Sequence, residues 1–570
     1  MKKVFHYLKP YTARMLVGFI IKVLGTFLDL GLPWVLAYII DSVIPYQKVS
    51  YILWWGAVMI ALSVGARSFN IIANRMAARV ARDTTKKLRH DLFEKILSLS
   101  GNQLDYFTVS SLESRMTSDT YNVHNMIGMM QRIGVRAPII LIGGIVITCL
   151  MEPVLALVLI GILPILFLVV YLISKKGIPL YAKLQLSVDK MVGIVRENIS
   201  GIRVIKALSK TKYEKDRFSR MNSEMVEREL KAGTTMAATN PIMNLLLNIG
   251  LTLVVVIGAF RVNAGVTQPG KIVAFLSYFA IMQQSVMAIT RIFVIFSKAS
   301  ASADRIAQVL DAEEDLKVIA EHPEKARNFN DYFIQFNHVN FSYAQEPCIT
   351  DMNLKIRKGE SLGIIGSTGS GKTTLINLLM RFYDIDEGSI LLDGRDIKSY
   401  DKSELRKRFG VVFQNDFLFA DRIYENISFG RKLPIEQVDL SADHAQAASF
   451  IEELDQSFNF KLSVKGSNLS GGQKQRLLVA RALAGKPEIL ILDDASSALD
   501  YKTDSMLRKA IRENYLGITT IVIAQRISSV MKLDHILVLE DGQTSGYGTH
   551  EELLKDCEVY QEIYQSQLMA

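Results

Sequence analysis

Two stretches of this 570-residue chain carry residues able to grip a phosphate and a divalent cation. "GSTGSGKT" comprises Gly366, Ser367, Thr368, Gly369, Ser370, Gly371, Lys372 and Thr373. It lies between a strand-like "LGIIG" and a helix-like "KTTLINLLM" that also contains Thr374. The pattern G-x-x-x-x-G-K-[ST] in that setting predicts a phosphate loop. Its glycines let backbone N–H groups turn toward phosphate oxygens, and the helix start adds its dipole. Lys372 then reaches the β- and γ-phosphates of a nucleotide, and Thr373 holds Mg²⁺. "ILILDDASSALD", residues 489–500, reads as a buried strand that delivers Asp493 and Asp494 to its carboxyl end. Between the two stretches, "LSGGQKQRLLVARALAGKP" predicts a helix with Ser470 at its N-cap and a stop at Gly485 to Pro487.

These residues need a scaffold. From residue 332 onward strand-like and helix-like segments alternate, which predicts an α/β domain with a largely parallel sheet. The preceding part is different. Mean hydropathy of the whole chain is +0.20, and within the first 300 residues apolar stretches long enough to cross a bilayer fall near 14–40, 50–74, 133–151, 154–174, 240–262 and 270–297. The expected organisation is an all-α six-helix transmembrane domain (1–300), a polar linker (301–331) and an α/β P-loop nucleotide-binding domain (332–570). The long segments 75–132 and 175–239 are rich in Lys and Arg and carry helical periodicity, so the spans should continue as helices beyond the membrane. By the positive-inside rule those segments and both termini are cytoplasmic, in a multi-pass protein of the cell membrane. The net charge of +9 is explained by this topology, so nucleic acid is not an expected partner. Lys2 and Lys3 before an apolar stretch read as a retained signal anchor. Cys149, Cys348 and Cys557 are too scattered for a metal cluster.

Lys22 and Asp29 share one face of the first span and are candidates for a substrate cavity. The alternative has Lys22 snorkelling to the membrane surface and Asp29 pairing with a neighbouring helix. Arg132 and Arg136 read as interface anchors of the third span.

Phosphate loop, "LSGGQ" helix and "ILILDD" strand together resemble the nucleotide-binding domain of ABC transporters, and the six spans resemble the type IV exporter class. The resemblance implies ATP and Mg²⁺ as ligands. By that resemblance Tyr343 stacks on adenine, Gln414 touches Mg²⁺ and the γ-phosphate region, and Asp493 holds Mg²⁺ through water. Ser470, Gly471, Gly472 and Gln473 form the signature that clasps the ATP held by the opposite subunit, and Ser497, Ala498, Leu499 and Asp500 form the loop crossing between sites. Loop tips near 105–112 and 209–214 become coupling helices. Because each ATP in this family is shared by two domains, a dimer is required.

The chain departs from the family pattern where the attacking water is activated. Asp494 stands in the place of the usual Glu, and Gln525 in "IVIAQR" in the place of the switch histidine. One methylene less withdraws the carboxylate by about 1.5 Å, and a misplacement near 1 Å costs about 100-fold in rate. A glutamine hydrogen-bonds a phosphate oxygen but carries no positive charge. The binding residues are all kept. Val464 and Lys465 also replace an acidic residue common before the signature. The expectation is therefore the degenerate-site subunit of a heterodimeric, multidrug-type bacterial exporter, with an ATP hydrolase activity shared with a second half-transporter that supplies Glu and His. An ATP-gated membrane sensor and a slow homodimeric lipid flippase are the alternatives. Spans rich in Leu, Ile, Met and Phe suit small amphipathic, lipid or apolar peptide substrates equally.

Overall fold

A computed structural model describes residues 1–319, 332–344, 346–415, 417–495 and 498–568. The chain forms two compact units: Met1–Ser98 with Thr108–Ala312, and Leu99–Phe107 with Glu313–Ala570.

The first unit holds six helical segments long and apolar enough to cross a membrane. The first carries Thr12–Tyr38, the second is Val49–Ser98, the third ends in Val135–Met151, the fourth is Pro153–Ser200, the fifth ends in Thr239–Asn263 and the sixth is Pro269–Leu310. At 50 residues the second is about 75 Å long, more than twice the hydrocarbon thickness of about 30 Å. Pro153 and Pro269 open their helices, where a missing N–H costs nothing. Pro33, inside the first helix, removes the partner of the Asp29 carbonyl; at the adjacent Leu30 carbonyl the buried Tyr278 hydroxyl of the sixth helix donates a 2.6 Å hydrogen bond. Leu30, Leu155, Leu159, Phe275 and Phe279 pack around this contact. The sixth helix runs on to Leu310, into the stretch read as linker, and 320–331 lie outside the described residues.

The second unit has two sheets. β1 (Ile334–Tyr343), β2 (Glu346–Ile356), β4 (Glu387–Leu392) and β5 (Arg395–Asp396) form an antiparallel sheet in the order β2-β1-β4-β5. β3 (Ser361–Gly366), β6 (Phe409–Val412), β7 (Ile489–Asp493), β8 (Thr519–Ile523), β9 (His535–Glu540) and β10 (Gln543–Gly548) form the second, in the order β10-β9-β3-β8-β7-β6. Only β10 runs antiparallel to its neighbour there. A parallel strand buried on both faces needs an unbroken apolar run, and "ILILD" supplies it: Ile489 and Ile491 enter one core with Phe336 and Leu375, while Leu490 and Leu492 enter the other with Leu477 and Leu483.

The helix Gly101–Phe107 belongs to this second unit. The Gly101 N–H donates to the Phe382 carbonyl (3.0 Å), the Tyr383 hydroxyl donates to Asp105 (2.8 Å), and Ser100 Oγ donates to Asp315 (2.5 Å). A Cβ on residue 101 would stand 2.5 Å from the Tyr383 ring, so only glycine permits this approach. The docked tip thus begins four residues before the stretch expected from sequence, 105–112. The other expected tip, 209–214, spans a turn between helices Ile202–Ala207 and Thr211–Ala237 in the first unit.

Candidate nucleotide site

β3 ends at Gly366 and the chain turns through Gly369 (φ +89°) and Gly371 (φ +95°) into the helix Lys372–Leu379. Both glycines hold left-handed backbone that an L side chain resists. Lys372 Nζ donates to the carbonyls of Gly366 (3.0 Å) and Ser367 (2.6 Å), closing the loop over the helix start. Burial pushes this ammonium below its ordinary pKa, and Asp493 and Asp494 pull it back up.

β7 lies two strands from β3, across β8, so its carboxyl end opens beside the same loop. Asp493, 2 % exposed, accepts a 2.9 Å hydrogen bond from Thr373 Oγ1. Asp494 follows with φ +52°, its N–H donating to the Ile523 carbonyl (2.9 Å). Burial raises both carboxyls above the usual range; the Thr373 hydrogen bond lowers Asp493, and the charges of Arg526 and Lys372 lower Asp494.

One cavity of about 180 Å³ is lined by Thr368, Gly369, Gly371, Lys372, Thr373, Thr374, Gln414, Asp493, Asp494 and Gln525, with Cys348, Ile523 and Ala524. Residues spread over more than 150 positions of sequence therefore meet in one place. Thr373, Gln414 and Asp493 offer hydroxyl, amide and carboxylate oxygens, the hard donors that Mg²⁺ takes. Tyr343 stands at its edge: its hydroxyl donates to Thr374 Oγ1 (3.4 Å), and its ring meets Tyr383 edge-on with centroids 5.3 Å apart. Cys348 of β2, which no sequence motif marks, lies 3.3 Å from the same Thr374 hydroxyl.

The signature segment caps its own helix, Gly471–Ala484. Ser470 Oγ accepts from the Gln473 N–H (3.3 Å) and Gln473 Oε1 accepts from the Ser470 N–H (2.9 Å), a reciprocal capping box. Gly471 and Gly472 pack against Ala498, with Leu499 beside them. Asp500 caps the next helix, Tyr501–Asn514, by accepting from the Thr503 N–H (2.9 Å). None of these residues lines the phosphate-loop cavity. Ser497 lies outside the described residues. Lys465, before the signature, holds φ +58° in a short 3₁₀ turn.

Six membrane-length helices followed by a phosphate-loop α/β domain define a multi-pass membrane protein built around an ATP-binding domain. Residues 15–286 match the ABC transporter transmembrane region, and residues 349–497 match the ABC transporter family model. The ABC transporter ATP-binding protein YfiB of Bacillus subtilis is 35% identical over 570 residues, which cover 100% of this chain and 98% of that protein. The fatty acid ABC transporter ATP-binding/permease protein of Mycobacterium bovis is 30% identical over 509 residues, 89% of this chain and 80% of that protein. A solved bacterial Atm1-family ABC exporter with ATP bound shares the fold with a TM-score of 0.81 at 24% identity, over 98% of each chain. The chain belongs to the ABC transporter family, as a half-transporter with one transmembrane region and one ATP-binding domain.

Proposed function

We propose that this chain is one half of a heterodimeric, ATP-driven exporter, and that its own phosphate loop holds ATP more than it cleaves it. One observation carries the reading. Lys372, Thr373, Gln414 and Asp493 share a single cavity with Asp494 and Gln525, so the binding groups are complete exactly where the water-activating groups are shortened or uncharged. The Asp494 carboxylate cannot extend to the place a glutamate would reach, and Gln525 adds no positive charge to the developing oxyanion. The capped signature stays fit to serve the partner's ATP.

By the positive-inside rule, the Lys- and Arg-rich segments support a cytoplasmic nucleotide-binding domain and cytoplasmic termini. ATP-driven closure of two such domains is passed to the membrane helices through the tip formed by Gly101–Phe107, and hydrolysis with the partner's Glu and His resets the cycle. Amphipathic molecules, lipids or apolar peptides are its cargo. Purification of the tagged chain from its own cells should bring down, in one-to-one ratio, a second half-transporter with Glu after its metal-binding Asp and a switch His. Recovery of the chain only as a homodimer with full ATPase activity overturns the reading.

The contact of Tyr343 with Tyr383, and of Tyr383 with Asp105, offers a route from the nucleotide to the docked tip. Tyr383→Phe keeps the ring but deletes the hydroxyl, and a hydrogen bond to a charged group is worth about 1.5–3 kcal/mol. ATP binding should be unchanged while transport per ATP hydrolysed falls several-fold. Simultaneous measurement of both rates in proteoliposomes checks this.

A further inference from the structure

We propose that the outer ends of the first, third and sixth spanning helices hold the zwitterionic headgroup of a membrane phospholipid, whose acyl chains lie along the apolar part of the same cavity. Any part it plays in transport rests on the exporter reading above; the binding itself does not. The cavity, of about 480 Å³, is within the range of small-molecule sites. On the first helix and the π-helical turn that extends it, Phe27, Gly31, Trp34, Tyr38 and Asp41 line the cavity, three or four positions apart and therefore on one face. Ile147 and Leu150 of the third helix and Lys271 of the sixth complete its wall. Lys22 and Asp29, the cavity candidates read from sequence, lie on the other side of the first helix and do not line it. Neighbouring helices bind them instead. Lys22 donates to Asn74 Oδ1 (3.0 Å), and Asp29 accepts from Arg136 (2.9 Å) and Asn70 (3.2 Å), so Arg136 joins two helices rather than anchoring its span at the edge.

The lining is ordered by depth. Asp41, Ser42 and Lys271 stand where the helices meet the short connections, and Phe27 lies about 16 Å deeper along the first helix than Tyr38. Trp34 and Tyr38 come between, their ring centroids 6.2 Å apart and their planes 17° from parallel. Charged mouth, aromatic belt and apolar floor follow the polarity of a bilayer leaflet from headgroup to chain. The short connections carry few positive charges, which supports the outer leaflet as the one this cavity meets.

Two side chains of opposite charge line the cavity, and no ion pair joins them. Asp41 Oδ1 accepts from the Gly270 N–H (2.6 Å). Among the described residues its second oxygen has no hydrogen-bond partner, and no hydrogen bond or ion pair holds Lys271. A simple cation would meet Lys271, and a simple anion would meet Asp41. A headgroup that carries both an ammonium and a phosphate satisfies the two at once. Trp34 and Tyr38 add the aromatic surface that attracts an ammonium. Asp41 sits in a five-residue π-helical turn, Ile39–Val43, an irregularity frequent at functional positions. A Cβ on Gly31 would meet nothing within 4 Å, so packing does not require this glycine, and its missing side chain keeps the middle of the cavity wide.

The test is equilibrium binding of radiolabelled dodecylphosphocholine to the complex in phosphatidylglycerol nanodiscs, without nucleotide and with empty discs as the baseline. Binding should saturate and fall when phosphatidylcholine is built into the disc, whereas dodecyltrimethylammonium, dodecyl phosphate and dodecyl maltoside should displace the probe poorly. Gly31→Leu, which fills the cavity without a clash at Cβ, should abolish saturable binding. Asp41→Asn keeps an oxygen for the Gly270 N–H but removes the charge, and should shift preference toward dodecyl phosphate by about tenfold; Lys271→Gln should shift it toward dodecyltrimethylammonium by as much. Displacement from the wild type by either singly charged surfactant as strong as by unlabelled dodecylphosphocholine overturns the proposal. So does wild-type affinity in Gly31→Leu, a lack of competition from phosphatidylcholine, or an absence of saturable binding, the outcome if a helix of the partner subunit covers the cavity. If a charge variant does not assemble, the wild-type competition series and Gly31→Leu decide. Failure of the exporter reading shows separately, as an absence of ATP-driven accumulation in vesicles while dodecylphosphocholine binding persists.

Discussion

Asp494→Glu combined with Gln525→His should raise hydrolysis at this chain's own phosphate loop by about 100-fold, the cost assigned to a carboxylate set back near 1 Å. The groups around the two positions already fit the chemistry. Lys372 is held on the loop carbonyls, Asp493 takes the Thr373 hydroxyl, and Asp494 and Gln525 line one cavity with them. The longer glutamate restores reach, and a histidine restores a charge that helps the oxyanion. The gain is read with the partner's glutamate changed to glutamine, so that only this site turns over. An unchanged rate would mean that something other than reach and charge limits this site.

Ser470→Arg should have the opposite and larger consequence, a fall in total ATPase of about 100-fold or more, the loss typical of a removed donor to transition-state charge. Ser470 caps the helix Gly471–Ala484 through its exchange of hydrogen bonds with Gln473, and arginine cannot accept that bond; in the proposed composite site its bulk would also crowd the partner's γ-phosphate. This chain's own phosphate-loop cavity, which Ser470 does not line, should keep binding ATP. Steady-state ATPase alongside photolabelling by an azido-ATP analogue separates the two effects. Retained turnover with Ser470→Arg would place the competent site elsewhere.

The sheet and its loop were legible because the residues state their own surroundings. An unbroken "ILILD" is stable only between two cores, and Gly369, Gly371 and Lys372 demand a strand before them and a helix after. Three matters were not legible. "GNQLDYF" has too few apolar residues at helical spacing to announce a helix, and what fixes Gly101–Phe107 is the ring of Tyr383, some 280 positions away. Periodicity also places Lys22 and Asp29 on one face without saying what that face meets. Their partners Asn74, Asn70 and Arg136 come from two other helices, whose rotation depends on packing and on the π-helical turn at Met130–Gly134. Cys348 reaches the nucleotide cavity only through strand pairing, for which a lone cysteine gives no signal.

Central to the account is an asymmetry between two ATP sites, and ATPase of the purified complex after one substitution at a time tests it most directly. Asp494→Asn should leave at least about half of the activity if, as proposed, its carboxylate falls short of the attacking water. The equivalent Glu→Gln change in the partner should remove nearly all of it. Near-complete loss from Asp494→Asn, with the partner's change almost silent, would contradict the account.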